Sequence, residues 1–549
     1  MKNNSRIPLW LAIAMAIGIG IGTFLTSRFG DSRLSIMNNG SNKMNYLLQL
    51  IDYNYVDSVD TDSLVEVAIP KLISELDPHS VYIPVKDVEA ANEDLKGSFS
   101  GIGISFRMEQ DTATVMSLIH GGPAEKVGIL AGDRITSANG QNLCKMQSAE
   151  VMKHLKGEKG SEVKLEIVRH GSKEPLLFTV VRGDIPVESI DASYLMDDNI
   201  GYIRVKNFGE QTFAEMLTAL AHMHFNGMNA LIVDLRGNRG GYMHVAIQMV
   251  NEFLPENCLI VYTEGRRVKR EDYKSNGLGS FQYLPLVVLV DEMSASSSEI
   301  FAGAIQDNDR GMVVGRRSFG KGLVQQPMEF GDGSMVRLTI ARYHTPSGRC
   351  IQKDYVKGQG EDYENELLVR YQRGEFYVED SIRQNGPQYK TTIGRTVYGG
   401  GGIRPDIFIP YDSTGVTSYY KEAVYTGLIA QFCFEVVDQN RETLGKLQSL
   451  EDKVKWLDKQ NLLESFARYA QKRSLIRRNL MMQRSKDLFR SAIYSGIIYN
   501  CSEMSDYMRY LNRDDEAVLK AIEIIHDRKT IPTLQQEQQE IISDRTCVQ

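Results

Sequence analysis

The stretch Leu284–Asn308, LPLVVLVDEMSASSSEIFAGAIQDN, decides the fold of the region around it. LPLVVLV is the kind of short apolar run that makes a buried strand, and Ile300, Phe301, Ala304 and Ile305 then fall on one helical stripe. The serines between them, Ser294, Ser296, Ser297 and Ser298, therefore occupy a strand-to-helix turn. Serines in that position commonly cap the helix by accepting bonds from its first unpaired N–H groups. The same turn aims backbone N–H groups and the positive end of a helix dipole at whatever lies above it, which suits a developing oxyanion. Capping and nucleophilic catalysis are both compatible with these residues.

Similar signals lie on either side. Upstream, IGYIRVKNF alternates as a strand from Ile200, TFAEMLTALAHM is amphipathic, and ALIVDL (Ala230–Leu235) is a buried strand emptying into RGNRGG (Arg236–Gly241). The helix pattern that follows sets Val245, Met249, Val250 and Phe253 on one side. RGNRGG lacks both the GxGxxG and the GxxxxGK[ST] spacing, so the turn reads as one that lends N–H groups to an oxyanion, the alternative being a tight connection only. Downstream, GMVVG is a short strand and RRSFGKGLVQQ places Lys321 between two glycines. LVQQPMEF and MVRLTIARYH form a hairpin across GDGS, with Val336, Leu338 and Ile340 inward. GGGGIRPDIFIP (Gly399–Pro410) closes the domain, and the charged, Tyr-rich residues 354–395 read as a surface insertion.

Before this region lie FSGIGISF (Phe99–Phe106) and GGPAEKVGILAGDRITSANGQNL (Gly121–Leu143), which together resemble a bacterial PDZ domain. Such domains take an extended peptide C-terminus as an added strand, and the amides beside Gly101, Ile102, Gly103 and Ile104 would receive its carboxylate. A glycine-rich hairpin without a ligand is the alternative. Residues 43–95 read as helical, with Leu47, Leu48, Ile51, Leu64, Val67, Leu72 and Ile73 recurring at three and four, and Asp77-Pro78 interrupting the run. The expected organisation is an anchor at 1–28, a linker at 29–42, an N-terminal helical segment of the catalytic domain at 43–95, the PDZ domain at 96–183, an α/β core at 184–410 and a helical region at 411–549.

The chain has 549 residues, 42% hydrophobic and 24% charged, enough for several domains and ordinary for a globular protein. A net charge of −7 argues against nucleic acid as a partner. Six scattered cysteines offer no metal-ligand spacing, and no metal or organic cofactor is called for. Ile7–Leu25 carries no charge, nearly spans a hydrocarbon layer and follows Lys2 and Arg6. It reads as an uncleaved transmembrane helix in the cytoplasmic membrane, with everything after Ser27 exported. The basic C-terminal stretch KRSLIRRNLMMQRSKDLFR reads as a solvated helix face, and the C-terminal helices are candidates for a homo-oligomer or adaptor contact.

A serine hydroxyl needs a base, and none of the nine histidines sits in a triad motif. Lys321 is the better candidate, because burial between glycines and strands lowers an ammonium pKa. FSGIGI, VDLRGNRGGYM, SASSSEIFAGAIQD, FGKGLVQQ, ARYHTPSGRCIQ and GGGGIRPD, in that order, resemble the C-terminal processing peptidases (tail-specific proteases), serine peptidases with an inserted PDZ domain. The resemblance implies a crotonase-like β/α spiral core, Ser296 as nucleophile, Lys321 as base and Gln325 to orient the base. It also implies an oxyanion hole from the N–H of Ser297 and of either Gly240 or Gly241, with Ser294 and Ser298 left to capping and packing. Ser297 stands where alanine is commoner and Arg239 where proline is commoner. Substrates would be polypeptides held by their C-terminal tails. A membrane-anchored PDZ scaffold without turnover and an acyl-CoA enzyme of crotonase fold are the other classes the residues admit.

Overall fold

The computed structural model describes residues 12, 15–19, 40–109, 111–169, 171–172, 174–379, 386–527 and 530–532. Of the apolar N-terminal run, Ala12 and residues 15–19 are described and helical, and the rest of the expected anchor lies outside the described residues. Among the described residues no helix is long and apolar enough to cross a membrane. The chain divides into two units at Leu76/Asp77. The first contains α1 (Gly40–Asn54) and α2 (Thr61–Ser74); Asp60 caps α2 by accepting from the N–H groups of Asp62 and Ser63. The expected linker to residue 42 is thus already helical at its end.

The second unit begins with a departure from the expected helical segment. After Asp77-Pro78 the chain forms β1 (Val81–Ile83) before α3 (Val85–Lys96). Three residues are too few for an alternating pattern to register in sequence; pairing with a distant strand creates β1.

The domain that follows is entered and left through a two-stranded ribbon. It runs as β2 (Ser98–Gly101), β3 (Ile104–Glu109), β4 (Thr112–Leu118), β5 (Arg134–Ala138), α4 (Ser148–Leu155), β6 (Glu162–Val168), β7 (Leu176–Val181) and β8 (Gly183–Pro186). β2 pairs antiparallel with β8, joining Gly101 to Gly183, while the sheet proper has the order β3-β4-β5-β6-β7. Ile102, Ala113, Val115, Ile135, Val151, Leu155, Val163 and Val180 form its core. β3 lies at the sheet's end, so its outer edge is unpaired among the described residues.

The large domain is built on two sheets. Its chain order is β9 (Ile190–Leu195), β10 (Ile200–Val205), α5 (Thr212–Phe225), β11 (Ala230–Asp234), α6 (Met243–Asn251), β12 (Leu259–Glu264), β13 (Glu271–Lys274) and β14 (Leu286–Val290). Then come α7 (Ser297–Asp307), β15 (Met312–Gly315), β16 (Leu323–Glu329), β17 (Met335–His344), α8 (Gly360–Gln372) and β18 (Ile407–Phe408). The first sheet has the order β9-β10-β11-β14-β15-β18, parallel from β10 onward. β11 and β14 are neighbours with every residue buried, as continuous apolar strands covered on both faces should be. The second sheet has the order β1-β17-β12-β13, with β16 pairing β17 as the expected hairpin. Within it Val336 is buried and Leu338 and Ile340 are half-buried.

The described part of 354–395 lies largely at the surface, as expected, but α8 anchors it inward. α8 buries Tyr363 and Arg370; Arg370 and Arg317 both grip Glu375, and Lys353 lies over the Phe319 and Tyr363 rings. Most of the segment's charged side chains, among them Asp354, Lys357, Glu361, Asp362, Glu364 and Arg373, are exposed.

Seven helices between Ser418 and Cys501 form a core of their own around Phe432, Phe466, Phe489, Ile493 and Ile497. A cavity of about 190 Å³ separates them from the outer face of the β3–β5 sheet, lined there by Glu109 and Arg134 and opposite by Phe434, Glu435, Tyr469 and Arg473. The helices Met504–Leu511 and Glu516–His526 go elsewhere: Met508, Val518, Ala521, Ile524 and Ile525 pack with Tyr202, Ile232, Val287 and Leu289 on one face of the first large sheet.

Candidate active site

Two turns at the C-terminal ends of adjacent parallel strands meet, one after β11 and one after β14. Loops at that end of a parallel sheet are where α/β folds place ligands. Three serines join them. Ser294 Oγ donates to the Leu235 carbonyl (2.8 Å), Ser297 Oγ to the Gly241 carbonyl (3.0 Å) and Ser298 Oγ to the Asn238 carbonyl (2.9 Å). Asp291 reinforces the joint, accepting from the N–H groups of Gly237, Met293 and Ser294. Ser294 and Ser298 thus pack, as expected, and Ser297 adds a side-chain bond that the sequence did not reveal.

Ser296 differs from the other three. Its φ is 57° and ψ −114°, a conformation that L-residues rarely adopt and that costs on the order of 1–3 kcal/mol. It is half-buried at the N-cap of α7, its three serine neighbours being buried. A strained, accessible serine on a strand-to-helix turn is the geometry of a nucleophile elbow.

Gly240 and Gly241 must both be glycines. A Cβ on Gly240 would lie 2.7 Å from Ser296 Cβ and 2.8 Å from the Ala295 carbonyl oxygen; one on Gly241 would lie 2.3 Å from the Phe208 oxygen. Their amides differ. That of Gly240 donates to Asn238 Oδ1 at 2.8 Å, whereas those of Gly241 and Ser297 donate to no acceptor among the described residues. Asn238, fully buried, holds the loop through its side-chain donation to the Val205 carbonyl and its own carbonyl's acceptance from Ala295 N–H.

Lys321 is brought to this turn by Glu299, a residue the sequence offers only as a helix-start acid. One carboxylate oxygen of Glu299 accepts from the N–H of both Ser296 (2.9 Å) and Lys321 (2.8 Å). The other accepts from Gly320 N–H (2.8 Å) and Ser318 Oγ (2.5 Å). Tyr343 adds a second link, its hydroxyl lying against the carbonyls of Ser296 and Lys321. Burial raises the Glu299 carboxyl to about 7 against the pull of its four donors.

The Lys321 amine makes no ion pair or hydrogen bond among the described residues. Burial pushes its pKa below 10.5; Glu299 opposes the shift, Arg337 adds to it and Asp77 opposes it. Its surroundings include His79, whose imidazole is lowered to about 4 by burial and then by the Lys321 charge, and which bonds to the Tyr363 hydroxyl at 2.8 Å. Gln325 makes no hydrogen bond to the lysine among the described residues. Its Nε2 donates to Thr339 Oγ1 across the hairpin (3.3 Å), and Thr339 Oγ1 donates to Asp77 Oδ1 (3.0 Å). Asp77 also accepts from His79 N–H, Ser80 N–H and Ser80 Oγ.

The candidate carboxylate loop sits apart from these residues in sequence, at the start of β3. Gly101, Ile102 and Gly103 are buried and Ile104 half-buried. The carbonyls of Ile102 and Gly103 accept from Ala124 and Ile119, while their amides donate to no acceptor among the described residues. Gly103 has a φ of 76°, with Pro123 and Ile185 packed against it.

Residues 199–362 match peptidase family S41, 100–180 match the PDZ domain, and 419–502 match a family of unknown function, DUF8443. The chain is 35% identical over 314 residues to the carboxy-terminal processing protease CtpB of Bacillus subtilis, covering 57% of this chain and 65% of that one. It is 33% identical over 363 residues to CtpA of the same organism, covering 65% of this chain and 77% of that one. Among solved structures, the photosystem II D1 C-terminal processing protease is similar at 24% identity, with a TM-score of 0.34 over 66% of this chain and 91% of that one.

Proposed function

Because the chain belongs to the carboxy-terminal processing proteases, PDZ-containing serine-type peptidases of family S41, we propose that it is an endopeptidase in which Ser296 is the nucleophile and Lys321 the general base. One observation carries this reading: a single carboxylate oxygen of Glu299 accepts from the N–H groups of both residues, fixing their two backbones to one point. In the reaction Ser296 Oγ adds to the scissile carbonyl and its proton passes to the Lys321 amine. The N–H groups of Gly241 and Ser297 receive the oxyanion, since that of Gly240 already serves Asn238. The lysine returns the proton to the leaving amine, and water, deprotonated by the same amine, releases the acyl group. Gln325 acts on the base at one remove, orienting Thr339 and with it the Asp77 carboxylate, whose charge is felt by Lys321.

The PDZ domain would take a polypeptide C-terminus along the free edge of β3, its carboxylate received by the amides of residues 101–104. The catalytic domain would adopt the crotonase-type spiral. The uncharged run Ile7–Leu25 would tether the enzyme in the cytoplasmic membrane, with its domains on the exported side acting on exported proteins. The test is cleavage of an unfolded polypeptide with an apolar C-terminal tail by wild type, Ser296→Ala and Lys321→Ala. Either variant cleaving at the wild-type rate refutes the assignment.

A further inference from the structure

Arg236 opens the RGNRGG loop, and its guanidinium is shared between two acids of different origin. Nε and Nη2 donate to the Asp234 carboxylate at 2.6–3.1 Å, and Asp234 also accepts from Arg236 N–H (3.0 Å) and the Tyr202 hydroxyl (2.7 Å). Nη1 donates to both carboxylate oxygens of Asp515, at 3.0 and 2.8 Å. Asp515 lies beyond every matched family region and caps the Glu516–His526 helix, accepting from the N–H groups of Ala517 and Val518 at 3.0 Å each. That helix cannot drift, because Ala517, Val518, Ala521, Ile524 and Ile525 are buried against the sheet that carries β11.

Asp234 ends β11 only two residues before Arg236, so their pair alone ties the loop to the strand it leaves. Asp515 supplies the external point. From Arg236 the chain runs to Gly237, held by Asp291, to Asn238, held by Val205, and then to Gly241. We propose that Asp515 is a positioning residue for the peptidase reaction: the C-terminal helix, through Arg236, sets the angle at which the oxyanion loop leaves β11. The inference rests on the reading of Ser296 as nucleophile and Gly241 as oxyanion donor.

Asparagine caps a helix as well as aspartate, so Asp515→Asn keeps the helix start and removes the charged fork, whereas Asp515→Ala removes both. Asp515→Asn is expected to lower kcat about 10-fold with KM nearly unchanged, because small displacements of a catalytic group act on the transition state. Affinity for a peptide aldehyde, whose Ser296 adduct places an oxyanion in the same hole, should fall by a similar factor, and the melting temperature should stay close to that of wild type. Asp515→Glu should recover part of the loss. Unchanged kcat and aldehyde affinity in Asp515→Asn, or a loss confined to melting temperature in Asp515→Ala, overturns the proposal by reducing Asp515 to a cap. Ser296→Ala run beside them separates the two readings: if it still cleaves, the nucleophile assignment fails and the inference with it; if it is inactive while Asp515→Asn matches wild type, the inference alone fails.

Discussion

Replacing Glu299 by glutamine should flatten the dependence of stability on pH. The carboxyl is fully buried and its pKa stands at about 7 in the folded protein against 4.5 ordinarily, so the native state holds a proton over that interval which the unfolded chain has released. For a raised folded pKa the stabilising contribution is complete below pH 4.5 and is lost as the pH climbs through 7. Integrated from pH 5 to pH 8, this one group removes roughly 2–3 kcal/mol. Glutamine keeps the shape and cannot titrate, so the variant should lack that part of the slope, whatever its absolute stability. Both proteins are best studied with Ser296→Ala to suppress self-cleavage, by urea unfolding followed by circular dichroism at pH 5 and pH 8. The pH-induced change in unfolding free energy should be smaller in the variant by that amount. Equal changes in the two proteins would show that Glu299 is not a buried proton store, and the account of its four donors would then be wrong.

Lys321→Arg should abolish cleavage by at least about 10³-fold, with no recovery at high pH, because a guanidinium does not surrender its proton; measurable turnover near pH 10 would exclude Lys321 as base. In wild type, burial of the amine should bring the rate to its plateau below pH 10.5, and a profile still rising beyond that value contradicts the enclosed lysine. Gly240→Ala should cost on the order of 2 kcal/mol or more and end labelling by an active-site serine probe, since its Cβ falls 2.7 Å from that of Ser296. Normal labelling would show that the two turns are looser than described. Gly103→Val, at a φ of 76°, should weaken binding of a peptide with a free C-terminal carboxylate by about 10-fold while barely affecting its C-terminal amide, read by fluorescence anisotropy. Equal loss for both peptides would place the carboxylate elsewhere.

The two turns were legible because each strand, LPLVVLV and ALIVDL, is a continuous apolar run ending in residues suited only to a tight turn. The pairing of Ser296 with Lys321 came from motif resemblance, and their backbones meet at one carboxylate. What joins them was hidden. Glu299 looks like any acid in a helix's first turn, and Tyr343 like any aromatic in an alternating strand, because the partners that matter, residues 318–321 for the one and Ser296 and Lys321 for the other, are distant in sequence. Asp77 and His79 reach the lysine from more than two hundred residues upstream, through a three-residue strand too short to carry a periodic signal. Residues 354–395 showed their exposure in their charge but hid their anchor: Arg370 and Glu375, no different in the sequence from their exposed neighbours, pair with each other inside.

The packing of residues 504–526 on the first large sheet also bears on when the enzyme can exist. A ribosome delivers β10, β11 and β14 long before the helices that cover their second face, and until those arrive the nascent domain displays Tyr202, Ile232, Val287 and Leu289 to solvent. A contiguous apolar face of that kind is an aggregation liability until it is covered. A chain interrupted before Met504 would keep that face wet, a fault that should show as binding of a dye for apolar surface.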